Sequence, residues 1–105
     1  MELAKRVYRL TESFPVDERF GLTSQTRRAA VSVPSNVAEG HARNTNAEMI
    51  RFCGIALGSV AEIETQLILA ADLGFARRDE SEDTLKLTDE IGRMFRGLIR
   101  SNRSD

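Results

Sequence analysis

Cysteine, histidine and proline are all scarce in this chain of 105 residues, and their scarcity excludes several kinds of protein. The one cysteine, Cys53, has no second cysteine with which to form an internal disulfide, which suits a reducing compartment. One histidine and one cysteine are too few for a His/Cys metal site, so we expect no metal and no cofactor. Only two prolines interrupt the chain, which leaves room for long helices.

Long apolar runs and an excess of charge of one sign are also missing. Fifteen Lys and Arg residues balance sixteen Asp and Glu residues, so a formal net charge of −1 does not identify a partner. No uninterrupted apolar run reaches the ~18 residues of a membrane span, and residues 1–6 lack the apolar region of a signal peptide. We therefore expect a cytoplasmic protein with a single domain, residues 1–105, and no membrane partner.

Apolar residues recur at helical spacing along most of the chain, and no alternating β-strand pattern is present. The pattern predicts four helices, at about residues 2–14, 23–40, 46–73 and 80–101. Pro15 is expected to end the first helix, Thr23 to cap the second, and Gly40 and Gly74 to end the second and third. Four helices with short connections predict an all-α fold, an antiparallel up-down four-helix bundle.

Pro34 lies inside the second predicted helix and conflicts with it. An interior proline removes one backbone hydrogen bond and clashes with the preceding turn, at a cost of about 3 kcal/mol. We therefore expect the helix to be kinked or broken at this residue.

The third helix has a wider apolar surface than packing on one side requires. Its second apolar face and the small residues beside it are Ile50, Gly54, Leu57, Gly58, Ala61 and Ile68. Gly54 and Gly58 would let another backbone approach closely. Two interpretations stay open, a central helix that contacts the three others or a surface for self-association. We favour self-association, because a slender bundle cannot easily cover two faces of its longest helix.

A catalytic role has few candidate residues. Glu39 and Arg43 lie on one polar stripe of the second helix, and His41 is the only imidazole. Glu39 could act as a general base and Arg43 as a phosphate clamp, but a slender bundle offers little of the pocket that such chemistry needs. The alternative is a polar network between this stripe and Glu62 and Gln66 of the third helix. We expect no enzymatic activity and no small-molecule substrate.

The fourth helix ends in a basic stripe. Residues 91–104 contain no acid, and their four arginines follow one another at spacings of three, four and three residues: Arg93, Arg96, Arg100 and Arg103, called the arginine stripe below. Repeated around an assembly, the stripe would bind the phosphates of RNA or DNA with a steep salt dependence. The alternative is that these cations only complement the negative end of the helix dipole, for about 0.3–1 kcal/mol each.

Two motifs resemble those of a known bacterial family. The first is Phe14-Pro15 followed by ERFGLTSQ at residues 18–25 and RAAVSVPSNVAEG at residues 28–40, and the second is IALGSVAEIETQL at residues 55–67. With these motifs, residues 3–100 resemble the four-helix bundle proteins first noticed in the intervening sequences of large-subunit ribosomal RNA genes. The accessory variability protein of diversity-generating retroelements is a relative by the same resemblance.

This resemblance implies a left-handed antiparallel bundle that assembles as a ring-shaped homopentamer, with a kinked second helix that tolerates Pro34. It implies no enzymatic activity. The retroelement relative binds reverse transcriptase and nucleic acid through a strongly basic surface, whereas the one clear basic surface of this chain is the arginine stripe. We expect a homo-oligomer that presents a repeated surface to structured RNA or a ribonucleoprotein. The alternative is a protein–protein assembly scaffold with no nucleic-acid role.

Overall fold

A computed structural model describes residues 2–103 of the chain. Within that range there are four α-helices, one short 3-10 helix and no β-strand, which confirms the all-α fold class. The α-helices are α1 (Glu2–Thr11), α2 (Leu22–Arg43), α3 (Asn46–Asp72) and α4 (Arg78–Asn102), and the 3-10 helix is Val16–Glu18. The molecule is elongated, with extents of 47 × 23 × 18 Å.

α1 ends at Thr11, earlier than the predicted boundary at residue 14. The Thr11 hydroxyl donates a hydrogen bond of 2.8 Å to Val7 O, and Phe14 N donates to Thr11 O in a tight turn. Because the chain turns before Pro15, the Phe14 ring packs on Phe75, with ring centroids 6.0 Å apart. The predicted end of α1 was too late because Phe14 packs on Phe75 and does not continue the helix.

α2 begins at Leu22, with Gly21 as its N-cap, and the predicted cap at Thr23 is wrong. The carboxylate of Glu18 accepts a hydrogen bond from Leu22 N at 3.1 Å, so a side chain of the preceding turn satisfies this free backbone donor. Thr23 instead lies within the first turn of the helix and is buried.

α2 also continues past Gly40, its predicted end, to Arg43. Gly40 is buried against α3, and a Cβ built on it would lie 2.9 Å from Phe52 Cβ. The glycine therefore permits a close helix contact, and Asn44 ends the helix in the left-handed conformation, with φ 62°. α2 is continuous through Pro34, so the expected break is wrong and the kink stays a prediction.

The bounds of α3 and α4 lie close to the predicted ones. Thr45 caps α3, its hydroxyl accepting a hydrogen bond from Glu48 N at 3.2 Å. Gly74 follows the end of α3 with φ 77°, a conformation that glycine adopts without strain. The first turn of α4 carries Asp79 and Glu80, whose negative charges favour the positive end of the helix dipole.

α3 forms the centre of the core. It packs against both α2 and α4, and α1 packs against α2 and α4. Ile63 and Leu67 of α3 are fully buried in one cluster with Val7 of α1 and Phe95 of α4. By length and composition alone, α3 is long and apolar enough to cross a membrane. The buried core helix of a globular protein meets the same two criteria. Because α2 and α4 both pack on α3, the exposed residues of α3 lie on the surface that these two helices leave uncovered.

Candidate functional site

The arginine stripe lies on the exposed surface of the last turns of α4. Arg93 forms an ion pair with Asp89, its Nη2 lying 3.1 Å from Oδ2. Among residues 2–103, the other three arginines, Arg96, Arg100 and Arg103, have no carboxylate within ion-pair distance. Their charges are therefore available to an external anion.

Acidic side chains lie near the arginine stripe only at its first two residues, Arg93 and Arg96. Arg96 lines a cleft of about 140 Å³ between α3 and α4, together with Glu64 and Asp89. The Thr88 hydroxyl lies 2.9 Å from Glu64 Oε2 and donates to it, which holds this carboxylate in the cleft. The last turns of α4 carry no acid, so the end of the stripe is its most positive part.

The predicted subunit surface on α3 is only partly exposed. Its six residues are Ile50, Gly54, Leu57, Gly58, Ala61 and Ile68. A Cβ on Gly54 or Gly58 would meet nothing within 4 Å, and Ile68 is 52% exposed. Leu57 instead packs inside the chain, its Cδ1 lying 3.7 Å from the Cβ position of Gly92 on α4. The surface open to a partner is therefore the side of α3 that carries the two glycines and Ile68.

The polar stripe of α2 meets polar residues of α3. The hydroxyls of Ser32 and Ser59 lie 2.8 Å apart and share a hydrogen bond, and Asn36 Nδ2 donates to Ser32 Oγ at 2.9 Å. An open groove of about 400 Å³ beside this pair is lined by Gln25, Arg28, Ala29, Ser32, Ser59, Glu62 and Gln66. Gln66 Oε1 is shielded from solvent and accepts no hydrogen bond from the described residues. The α2–α3 contact thus contains a short polar network of Ser32, Asn36 and Ser59, and no hydrogen bond among residues 2–103 joins Gln66 Oε1 to it.

The residues considered for catalysis do not converge on one reactive centre. Glu39 Oε2 lies 2.9 Å from Arg43 Nε, in an exposed ion pair along one turn of α2. His41 is exposed on the same helix. Burial raises the pKa of the Cys53 thiol, which makes it a poor nucleophile. Residues 2–103 contain no group of three or more His, Cys, Asp or Glu side chains that could hold a metal ion.

The turn before α2, which lies between the first two predicted helices, exposes bulky apolar side chains. Phe20 is 86% exposed and Val16 is 77% exposed, more than any other large apolar residue that the structure describes. The Arg19 guanidinium lies over the Phe20 ring, 5.0 Å from its centroid. The sequence signals for this surface were the apolar residues Val16 and Phe20 in a segment without helical periodicity, and the place of Phe20 in the motif ERFGLTSQ.

Comparisons with known proteins identify a family and attach no activity to it. The model of the family described as 23S rRNA-intervening sequence protein matches residues 1–97. The fold is similar to a crystal structure of a protein with unknown function from the S23 ribosomal protein family, from Bacteroides thetaiotaomicron VPI-5482. The TM-score is 0.84 and the sequence identity is 27%, and the match covers 93% of this chain and 92% of that chain. No curated protein matches the chain. The family resemblance expected from the two sequence motifs is confirmed.

Proposed function

This chain belongs to the family of 23S rRNA-intervening sequence proteins, and from that membership we propose that it is a non-enzymatic, self-assembling cytoplasmic protein that binds structured RNA or a ribonucleoprotein. Each subunit contributes a few phosphate contacts through the arginine stripe, and the assembly multiplies them. The observation that carries the proposal is the set of exposed guanidinium groups at Arg96, Arg100 and Arg103, which have no carboxylate partner among residues 2–103.

The proposed arrangement of the helices is the up-down bundle. Only Asn44 and Thr45 connect α2 to α3, and residues 73–77 connect α3 to α4. Connections this short join neighbouring helices that reverse direction. α1 is the remaining helix of the proposed bundle and contacts both α2 and α4.

The proposed assembly is a ring, and specifically a pentamer. Self-association is supported by the apolar residues exposed at the end of α3 and directly after it: Ile68, Leu69 and Leu73 are 52%, 47% and 54% exposed. The number of five subunits is taken from the family resemblance. The open surface at Gly54 and Gly58 adds room for the close approach of a second chain. Apolar side chains grouped at one exposed end of a helix favour burial against a partner. A ring would bring the arginine stripes of all its subunits into one particle.

A protein–protein scaffold without a nucleic-acid role is the second candidate function. The formal net charge of −1 and the ion pair between Arg93 and Asp89 favour it. In that case the arginine stripe complements the negative end of the α4 dipole and contacts no phosphate.

Binding of the full chain to a fluorescently labelled RNA hairpin distinguishes the two candidates. The variant in which Arg96, Arg100 and Arg103 are all changed to Gln is expected to lose at least about tenfold in affinity at low salt, because it loses three phosphate contacts per subunit. The fold of the variant is checked by circular dichroism.

A matched control removes the same charge from other exposed positions. Arg9, Arg51 and Arg77 lie outside the arginine stripe, and their combined change to Gln is expected to alter the affinity by less than about threefold. Equal losses in the two variants would show that net charge, and not the stripe, determines binding. An absence of binding by the parent chain would favour the scaffold.

A further inference from the structure

The turn between α1 and α2 holds Phe20 away from the core. Glu18 N donates a hydrogen bond of 2.9 Å to Pro15 O, which closes the 3-10 helix before Phe20. The Glu18 carboxylate accepts from Leu22 N at 3.1 Å, which ties the same turn to the start of α2. Hydrogen bonds on both sides of Phe20 therefore fix its backbone while its ring stays in solvent.

Phe20 and Arg19 together form an apolar and positively charged knob. The Phe20 ring is 86% exposed, and the Arg19 guanidinium covers part of it at 5.0 Å. Within residues 2–103, Arg19 has no carboxylate within ion-pair distance. A partner for this knob would have to offer an apolar floor and an acceptor for the guanidinium.

A groove on α3 has these complementary properties. It has a volume of about 300 Å³ and is lined by Gly58, Ala61, Glu62, Thr65 and Gln66. A Cβ on Gly58 would meet nothing within 4 Å, so the floor of the groove is open. Glu62 supplies an exposed carboxylate at the same place, with no basic side chain of the described chain in ion-pair distance.

We propose that Phe20 of one subunit inserts into this groove on a second copy of the chain, where Arg19 donates to the Glu62 carboxylate. The proposal rests on the self-assembly proposed above and names its contact. The knob and the groove are different surfaces of one chain, so the contact is heterologous and repeats from subunit to subunit. A repeated contact of this kind forms a closed ring when the rotations between successive subunits add up to one full turn.

Disulfide trapping tests the contact directly. Phe20→Cys and Gly58→Cys are combined in one chain in a Cys53→Ala background; both positions have open surroundings, so the fold should tolerate the two new cysteines. Mild oxidation is expected to link most chains into a ladder of covalent multimers on a non-reducing gel. The matched control combines Phe20→Cys with Gly97→Cys, a glycine of α4 that also has nothing within 4 Å, and is expected to give no ladder.

The native mass of the unoxidised parent separates failure of this contact from failure of self-assembly. If the unoxidised Phe20/Gly58 variant assembles like the parent and gives no ladder on oxidation, the contact is overturned and self-assembly stands. A monomeric parent would overturn both. A ladder of equal yield in the Gly97 control would also overturn the contact, because the trapping would then be unspecific.

Charge reversal tests the polar part of the contact. Arg19→Glu is expected to weaken assembly at least tenfold, because two carboxylates would then face each other at Glu62. Glu62→Arg in the same chain is expected to restore assembly by exchanging the two charges. A double variant no stronger than the Arg19→Glu variant would overturn the pairing of these residues.

Discussion

Gly40 of α2 and Phe52 of α3 approach so closely that a Cβ on Gly40 would lie 2.9 Å from Phe52 Cβ. The sulfur of Met49 lies 3.4 Å from the same position, so the space is closed from two sides. The two helices can pack at this distance only because residue 40 has no side chain. The contact lies near the end of α4, since Leu98 and Asn102 line the same cavity as Gly40.

Gly40→Ala is expected to lower the free energy of unfolding by about 1–3 kcal/mol, because the added methyl group must push the two helices apart. Gly97→Ala is the matched control, since a Cβ there meets nothing within 4 Å and alanine has the higher helix propensity. This control should raise stability by up to about 1 kcal/mol. Urea denaturation measures both, and a Gly40→Ala variant as stable as the control would disprove the close contact.

Arg27 of α2 makes two contacts with α1. Its Nε donates a hydrogen bond of 2.8 Å to Thr11 Oγ1, and its guanidinium lies 4.7 Å from the centroid of the Tyr8 ring. Arg27→Gln should cost about 1–2 kcal/mol of stability, because both contacts are lost. Arg28→Gln, at the exposed neighbouring position, should change stability by less than about 0.5 kcal/mol. Similar denaturation curves for the two variants would mean that Arg27 does not hold α1.

Leu57 and Ile68 should respond differently to replacement by Asp. Leu57 is partly buried and packs towards Gly92 of α4, so Leu57→Asp places a charge in this contact and should destabilise the fold by about 1–3 kcal/mol. Ile68 is 52% exposed, so Ile68→Asp should keep the helical content and weaken self-assembly. Circular dichroism and sedimentation velocity separate the two effects. An Ile68→Asp variant that sediments like the parent would exclude Ile68 from the subunit contact.

The thiol of Cys53 should react slowly in the folded chain. Burial raises its pKa, so less of it is thiolate at a given pH than in the unfolded chain. Iodoacetamide at pH 8 should therefore label the native chain at least about tenfold more slowly than the urea-unfolded chain. The same shift lowers stability as the pH rises above the ordinary pKa of a thiol, because the unfolded state then loses its proton first. Equal labelling rates would contradict the burial.

Helical periodicity was sufficient to predict the four helices, because every helix carries an apolar face that the fold buries. The ends of α2 were mispredicted for a physical reason. Glycine commonly ends a helix, but Gly40 serves the contact with Phe52, and the left-handed conformation falls at Asn44 instead. A contact between two helices distant in sequence leaves no local signal, whereas Asn44 followed by the capping residue Thr45 was a local signal that could have been used.

The candidate surfaces were predictable to different degrees. The spacing of the arginine stripe placed its members on one side of α4 from the sequence alone, and the structure shows them exposed. The sequence could not reveal that Leu57 packs against α4, that Gln66 Oε1 accepts no hydrogen bond from residues 2–103, or that Phe20 projects into solvent. Each of these facts depends on which helices come together and at what distance.

The affinity of the unmodified protein for a structured RNA, measured across a range of salt concentrations, tests most directly whether the assembly acts as a phosphate-binding surface. If several arginine stripes engage one RNA, the logarithm of the affinity should fall linearly with the logarithm of the salt concentration, with a slope of about −0.7 to −0.9 for each phosphate contacted. Several contacts predict a slope steeper than about −3 between roughly 50 and 200 mM salt. No binding at the lowest salt concentration, or an affinity insensitive to salt, would contradict an RNA-binding role and favour the protein scaffold.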